Sequence, residues 1–165
     1  MGTTCIIAVK LNKKVKLAQP IFHDGYPSHE GVEVLKFLLK DLVKDKFIQK
    51  VQNLRFAESE QEKIDSEQRQ WDFRGSKILK YIQSRKDNIV FDATEYDGSI
   101  PTCFEFGYLI DLDKNTFEVY SETITSRKNY NASKSNEFRD FNLLRRYDLN
   151  NLPTIEQFMD TFDLA

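Results

Sequence analysis

Apolar side chains fall on every second residue between positions 4 and 19, with Cys5, Ile7, Val9 and Leu11 before the polar run Asn12-Lys13-Lys14 and Val15 and Leu17 after it. An extended chain points successive side chains to opposite faces, so this spacing predicts a β-hairpin with one face turned inward. Pro20 lacks an amide donor and ends the ladder or confines it to an edge. The same alternation returns later in the chain. Residues 89–96 read as a strand, Asp97-Gly98 as a turn, and residues 103–112 as a second strand with Phe104, Phe106, Tyr108 and Ile110 on one face. Asp113-Lys114-Asn115 then turns the chain into residues 117–120, and residues 143–149 supply a last strand.

Helical spacing takes over between these strands. Val34, Leu35, Leu38, Leu39, Leu42, Phe47, Val51 and Leu54 predict one long helix from about residue 28, with Ser28 as N-cap and Glu30 and Glu33 at the positive end of its dipole. Residues 55–70 are dense in Glu, Gln, Lys and Ser, so they form an exposed helix or a loose connection. Ile78, Leu79 and Ile82 mark a short second helix. Pro153 and a Thr154 to Gln157 capping box open a terminal helix striped by Ile155, Phe158, Met159 and Phe162. Hairpins with separate helices predict a single α+β domain over residues 1–165, an antiparallel sheet of about five to six strands with helices packed on one face.

A chain of 165 residues, 40% hydrophobic and 13% aromatic, is long enough for one substantial core. Its net charge of -2 gives no global reason to expect nucleic acid or an anionic membrane as partner. Residues 74–86 hold five basic side chains and no acid, but beside an acidic sheet region they read as a solvated helix face. Cys5 and Cys103 lie in apolar strand-like stretches, which predicts two reduced, packed thiols and a cytoplasmic protein. No stretch has the charged and apolar regions of a signal peptide or the length of a membrane span.

The segment Phe22-His23-Asp24-Gly25-Tyr26-Pro27-Ser28-His29-Glu30-Gly31 holds both histidines of the chain. Gly25 is expected at positive φ and Pro27 fixes its own φ, so the loop is expected to be rigid. Together with the opening Met1-Gly2-Thr3, the return strand from Val15 to Gln19, Tyr108-Leu109-Ile110-Asp111-Leu112-Asp113 and Phe117-Glu118-Val119-Tyr120, this loop resembles a widespread, functionally uncharacterised family of small bacterial, phage and fungal proteins. The quoted segments cover about half of the chain. Thr4 stands where that family commonly has Arg, and His29 where a small residue or Gln is usual. The resemblance implies that loop and sheet belong to one design and implies no activity.

His23, Asp24, Gly25, Tyr26 and Ser28 are the expected ligand-binding residues, for a small molecule or a protein partner. An alternative is a small hydrolase with His23 as base and Asp24 or Glu105 as its partner. Against it, adjacent side chains in an extended segment point apart, and Asp24 is better suited to bonding the turn amides around Gly25. A Cys5 or Cys103 pair with His23 would need the fold to bring them together. His23 and His29, six apart, fit no standard ligand spacing. Asp111 and Asp113 with Glu105 could hold a hard cation, and act equally well as turn caps. No metal or cofactor is expected, and binding is favoured over catalysis because no complete site is legible.

Overall fold

The computed structural model describes residues 2–55, 57–85, 103–122 and 136–163. The hairpin forms as its alternation requires. Strand β1 (Cys5–Leu11) pairs antiparallel with β2 (Lys14–Ile21) across a turn in which Asn12 and Lys13 both take positive φ. Strands β3 (Phe106–Asp111), β4 (Thr116–Glu122) and β5 (Phe141–Asp148) follow as an antiparallel meander. The five strands stand in the order β2-β1-β3-β4-β5. The fold is α+β, and three of the four pairings are antiparallel. The fourth joins β1 to β3 in parallel, with Cys5 opposite Phe106 and Lys10 opposite Asp111. Parallel neighbours need a long crossover, which the helices between β2 and β3 provide. The strand expected over residues 89–96 and the Asp97-Gly98 turn lie outside the described residues.

Helices α1 (Val32–Lys36), α2 (Lys44–Gln52), α4 (Lys77–Ser84) and α5 (Ile155–Asp163) bury one sheet face. Val34, Leu35, Phe47, Val51, Ile78, Ile82 and Phe158 pack there against Cys5, Ile7, Val9, Tyr108 and Ile110. The polar stretch between α2 and α4 is helical too, as α3 (Glu60–Asp72), with the Arg55 guanidinium held by both Glu62 carboxylate oxygens just before it. The terminal capping box forms as its sequence predicts. Thr154 donates its amide to Gln157 Oε1 at 3.0 Å, and Gln157 returns its own amide to Thr154 Oγ1 at 3.1 Å.

The expected long helix is broken. Residues Pro27–Gly31 and Phe37–Asp41 form wide, π-type turns on either side of α1, and the chain leaves helical geometry at Leu42 (ψ 120°) and Val43 (ψ 97°) before α2 begins. The buried Gln83 of α4 bridges the gap. Its Oε1 accepts the Val43 amide at 2.8 Å and its Nε2 donates to the Asp41 carbonyl at 2.7 Å. The break lets Leu39 and Val43 face solvent, 43% and 56% exposed, although Leu39 continues the apolar spacing.

The opposite sheet face carries a second apolar cluster of Ile6, Ala8, Leu109, Tyr120, Phe141 and Leu143. Phe138, in a short 3-10 turn (Asn136–Phe138), stacks on Tyr120 at 4.4 Å. Beside this cluster the fully buried Glu118 carboxylate accepts bonds from the Tyr120 hydroxyl, from Thr116 Oγ1 at 2.8 Å and from Arg146 Nε at 3.2 Å. Three donors offset the cost of burying that charge.

Candidate functional site

The loop after β2 is latched to the sheet from two sides. The Gly25 amide donates to the Thr3 carbonyl at 3.0 Å, and the buried Tyr108 hydroxyl donates to the Gly25 carbonyl at 2.6 Å. Gly25 does not take positive φ. Asp24 does, at 57°, whereas a Cβ on Gly25 would stand 2.8 Å from the Thr4 carbonyl carbon and 2.9 Å from Cys5 N. The expected role of Asp24 is corrected in the same way. Its carbonyl accepts the Glu30 amide at 3.3 Å, and its carboxylate bonds no turn amide.

Ser28 is not the N-cap. Pro27 occupies the first helical position, which moves the cap to Tyr26, whose carbonyl accepts the His29 and Gly31 amides at 3.0 and 3.3 Å. Ser28 Oγ instead lies 3.2 Å from His29 Nδ1. The Tyr26 ring, 48% exposed, stands 6.1 Å from both the His29 and Phe106 rings.

His23 and Asp24 open onto a cleft of about 650 Å³. Gln19, Pro20, Ile21 and Phe22 at the end of β2 form one side of it, and Glu30 lies at its helix end. Glu67 of α3, with Arg74, Gly75 and Lys77 from the turn into α4, forms the other side. Glu30 ties the two walls together, because its Oε1 accepts the Ser76 amide at 2.7 Å. Gly75 has φ 70°, and a Cβ there would collide with Glu30 Oε1. Burial holds the Glu30 carboxyl above its usual range, the Ser76 amide opposes this, and the nearby Glu33 and Asp24 carboxylates add to it. Beneath the loop, burial pushes the Cys5 thiol and the Tyr108 phenol well up. Both therefore stay neutral at neutral pH.

Of the expected ligand-binding residues, His23 and Asp24 line the cleft, while Tyr26, Ser28 and the buried Gly25 are not part of its lining. The His23 ring is exposed, packs against Gly2 and makes no hydrogen bond among the described residues. Glu105 is also outside the lining. Its amide donates to Thr4 Oγ1 at 3.1 Å and its carbonyl accepts the Glu122 amide at 2.8 Å. The second wall, Glu67, Arg74, Gly75 and Lys77, was not legible as part of a site. Gly75 inside a basic run is its one local signal, and Glu67 offers none.

Asp111 and Asp113 act as turn caps. Asp111 Oδ1 accepts the Asp113 and Lys114 amides, each at 3.0 Å, and Asp113 accepts those of Asn12 and Lys13 at 2.7 and 2.8 Å. Among the described residues no three His, Cys, Asp or Glu side chains stand together as metal ligands. Cys103 is exposed, contrary to the packed thiol expected of it, because β3 begins only at Phe106. Cys5 is buried as expected. No helix among the described residues is long and apolar enough to cross a membrane. No family model, curated protein or solved structure matches the chain.

Proposed function

We propose that this protein is a cytoplasmic binding protein, and that its small-molecule ligand occupies the cleft between residues 19–24, where β2 runs into the Asp24-Gly25-Tyr26-Pro27 loop, and the α3–α4 turn. The observation that carries this reading is the cleft itself. At about 650 Å³ it falls within the range of about 300 to 1,000 Å³ common for small-ligand sites. The His23 and Asp24 side chains line it without a hydrogen bond among the described residues, which leaves both available to a ligand. A cytoplasmic location is supported by two cysteines that are both free. The hydrolase alternative would need a nucleophile or an orienting carboxylate bonded to His23, and among the described residues the ring bonds to neither.

The test uses the small molecules released when the purified protein is denatured. Added back to ligand-free protein, they are expected to raise the thermal midpoint of the wild type. His23→Ala and Asp24→Asn, the latter keeping a side chain that tolerates the positive φ, are expected to fold normally and to lose that rise. A full rise in both variants would place the ligand elsewhere and sink the proposal.

A further inference from the structure

Glu30 is built into the cleft in a way that its helix does not require. Its side chain crosses to the facing wall, where Ser76 fixes Oε1 and the left-handed Gly75 leaves room for it. Among the described residues Oε2 accepts no hydrogen bond, so the carboxylate of this cleft-lining residue has one oxygen held and one without a bond. The surrounding charges do not balance. Asp24 and Glu67 share the lining with Glu30, and among the described residues neither makes an ion pair. Two bases, Arg74 and Lys77, share the lining, and Lys77 acts on Glu30 through its field. An anion entering here would meet three carboxylates against two bases. Along the same cleft Pro20, Ile21 and the exposed Phe22 give an apolar wall.

We propose that the cleft selects a small organic cation, an ammonium or guanidinium group on an aliphatic stem, with Glu30 Oε2 accepting from the cation and the wall from Pro20 to Phe22 lying along the stem. This rests on the cleft being the ligand site. A charge-assisted hydrogen bond to a carboxylate already oriented by a backbone amide costs little reorganisation, and the apolar wall lowers the local dielectric around it.

The groups around Glu30 set how capture depends on pH. Asp24 and His23 flank it from the loop, Glu33 from its own helical run, Cys5 and Tyr108 from below, and Glu67, Arg74 and Lys77 from the facing wall. A cation needs the ionised carboxylate. Capture is therefore expected to strengthen as pH rises through the raised Glu30 pKa and to fade below it, while a bound cation draws that pKa back down.

The probe is agmatine, which carries both cationic groups on one aliphatic stem, with butanol and butyrate as neutral and anionic counterparts. Each is titrated into isotope-labelled protein at neutral pH and followed by amide chemical shifts. Agmatine is expected to move the Asp24, Gly75 and Ser76 amides saturably and to bind about tenfold or more tighter than either counterpart. Glu30→Gln keeps an acceptor for the Ser76 amide and is expected to lose that preference. Should this variant fail to fold, Lys77→Gln decides: removal of the competing charge is expected to tighten agmatine, and no change would overturn the role of Glu30. Agmatine binding undiminished in Glu30→Gln overturns it as well. Butanol or butyrate reaching the same amides as tightly as agmatine overturns the cation class while leaving the cleft as the ligand site. Shifts from none of the three probes overturn both.

Discussion

A glycine can be required by its φ or by the space that its missing side chain leaves, and Gly25 is of the second kind. A Cβ there would press on the Thr4 and Cys5 backbone, which is fixed in the sheet. Gly25→Ala is therefore expected to cost about 1 to 3 kcal/mol, as overpacking does. Asp24 carries the left-handed backbone instead. Asp24→Gly removes a strain of about 1 to 2 kcal/mol and adds a chain-entropy cost of about 0.5 to 1, so its stability should stay near wild type. Urea midpoints of the two variants check the pair, and the opposite ranking would restore the φ explanation for Gly25. Turn chemistry in the sequence points to a tight loop at Asp24-Gly25 but not to which residue bears the φ. That depends on Thr3, Thr4 and Tyr108, which are remote in sequence. The cysteines divide on the same ground. Cys103 is expected to react with a thiol reagent within minutes in the native state, and Cys5, buried with its thiol pKa pushed up, only on unfolding. Two equivalents reacting rapidly without denaturant would contradict this burial.

Elements whose signals are local were legible, and those fixed from a distance were not. The β1–β2 hairpin, the stripe of α5 and the Thr154 to Gln157 box each lie within a few residues of chain. The start of α3 also had a local signal, since Ser59 Oγ accepts the Glu62 amide at 3.2 Å, but the polar composition of the stretch obscured it. The break between α1 and α2 had none. Apolar spacing runs through Leu38, Leu39 and Leu42, while the side chain that stabilises the gap belongs to Gln83 on α4. Gln83→Ala would leave the Val43 amide and the Asp41 carbonyl unpaired at a partly buried position. The expected loss is about 1 to 3 kcal/mol, with faster amide exchange at Val43 than elsewhere in the pair of helices. If exchange at Val43 were unchanged, Gln83 would not be what holds the break. The cleft wall escaped the sequence for the same reason as the break, because Glu67 and Lys77 reach the loop only through tertiary packing.

The whole molecule is a sheet buried on both faces, and this allows a test of whether it is one folding unit. The helical face and the face under Phe138 share the backbone of β1, β3 and β4, in which odd and even residues serve opposite clusters. Loss of packing on one face should therefore weaken strands that also hold the other. Phe138 is fully buried and stacks on Tyr120, with Phe141 packed against its edge at 5.2 Å. Phe138→Ala is expected to cost about 3 to 5 kcal/mol, the range for emptying a buried aromatic site. If residues 1–165 form the single domain that we propose, this cost is felt everywhere. Amide exchange of Ile78 and Ile82, in a helix that packs on the other face, should accelerate by the same free energy as that of Leu109 and Leu143, and urea unfolding should remain one transition by far-UV circular dichroism. Protection retained in α4 while Leu109 and Leu143 exchange freely would instead mean that the two sheet faces are separate cooperative units.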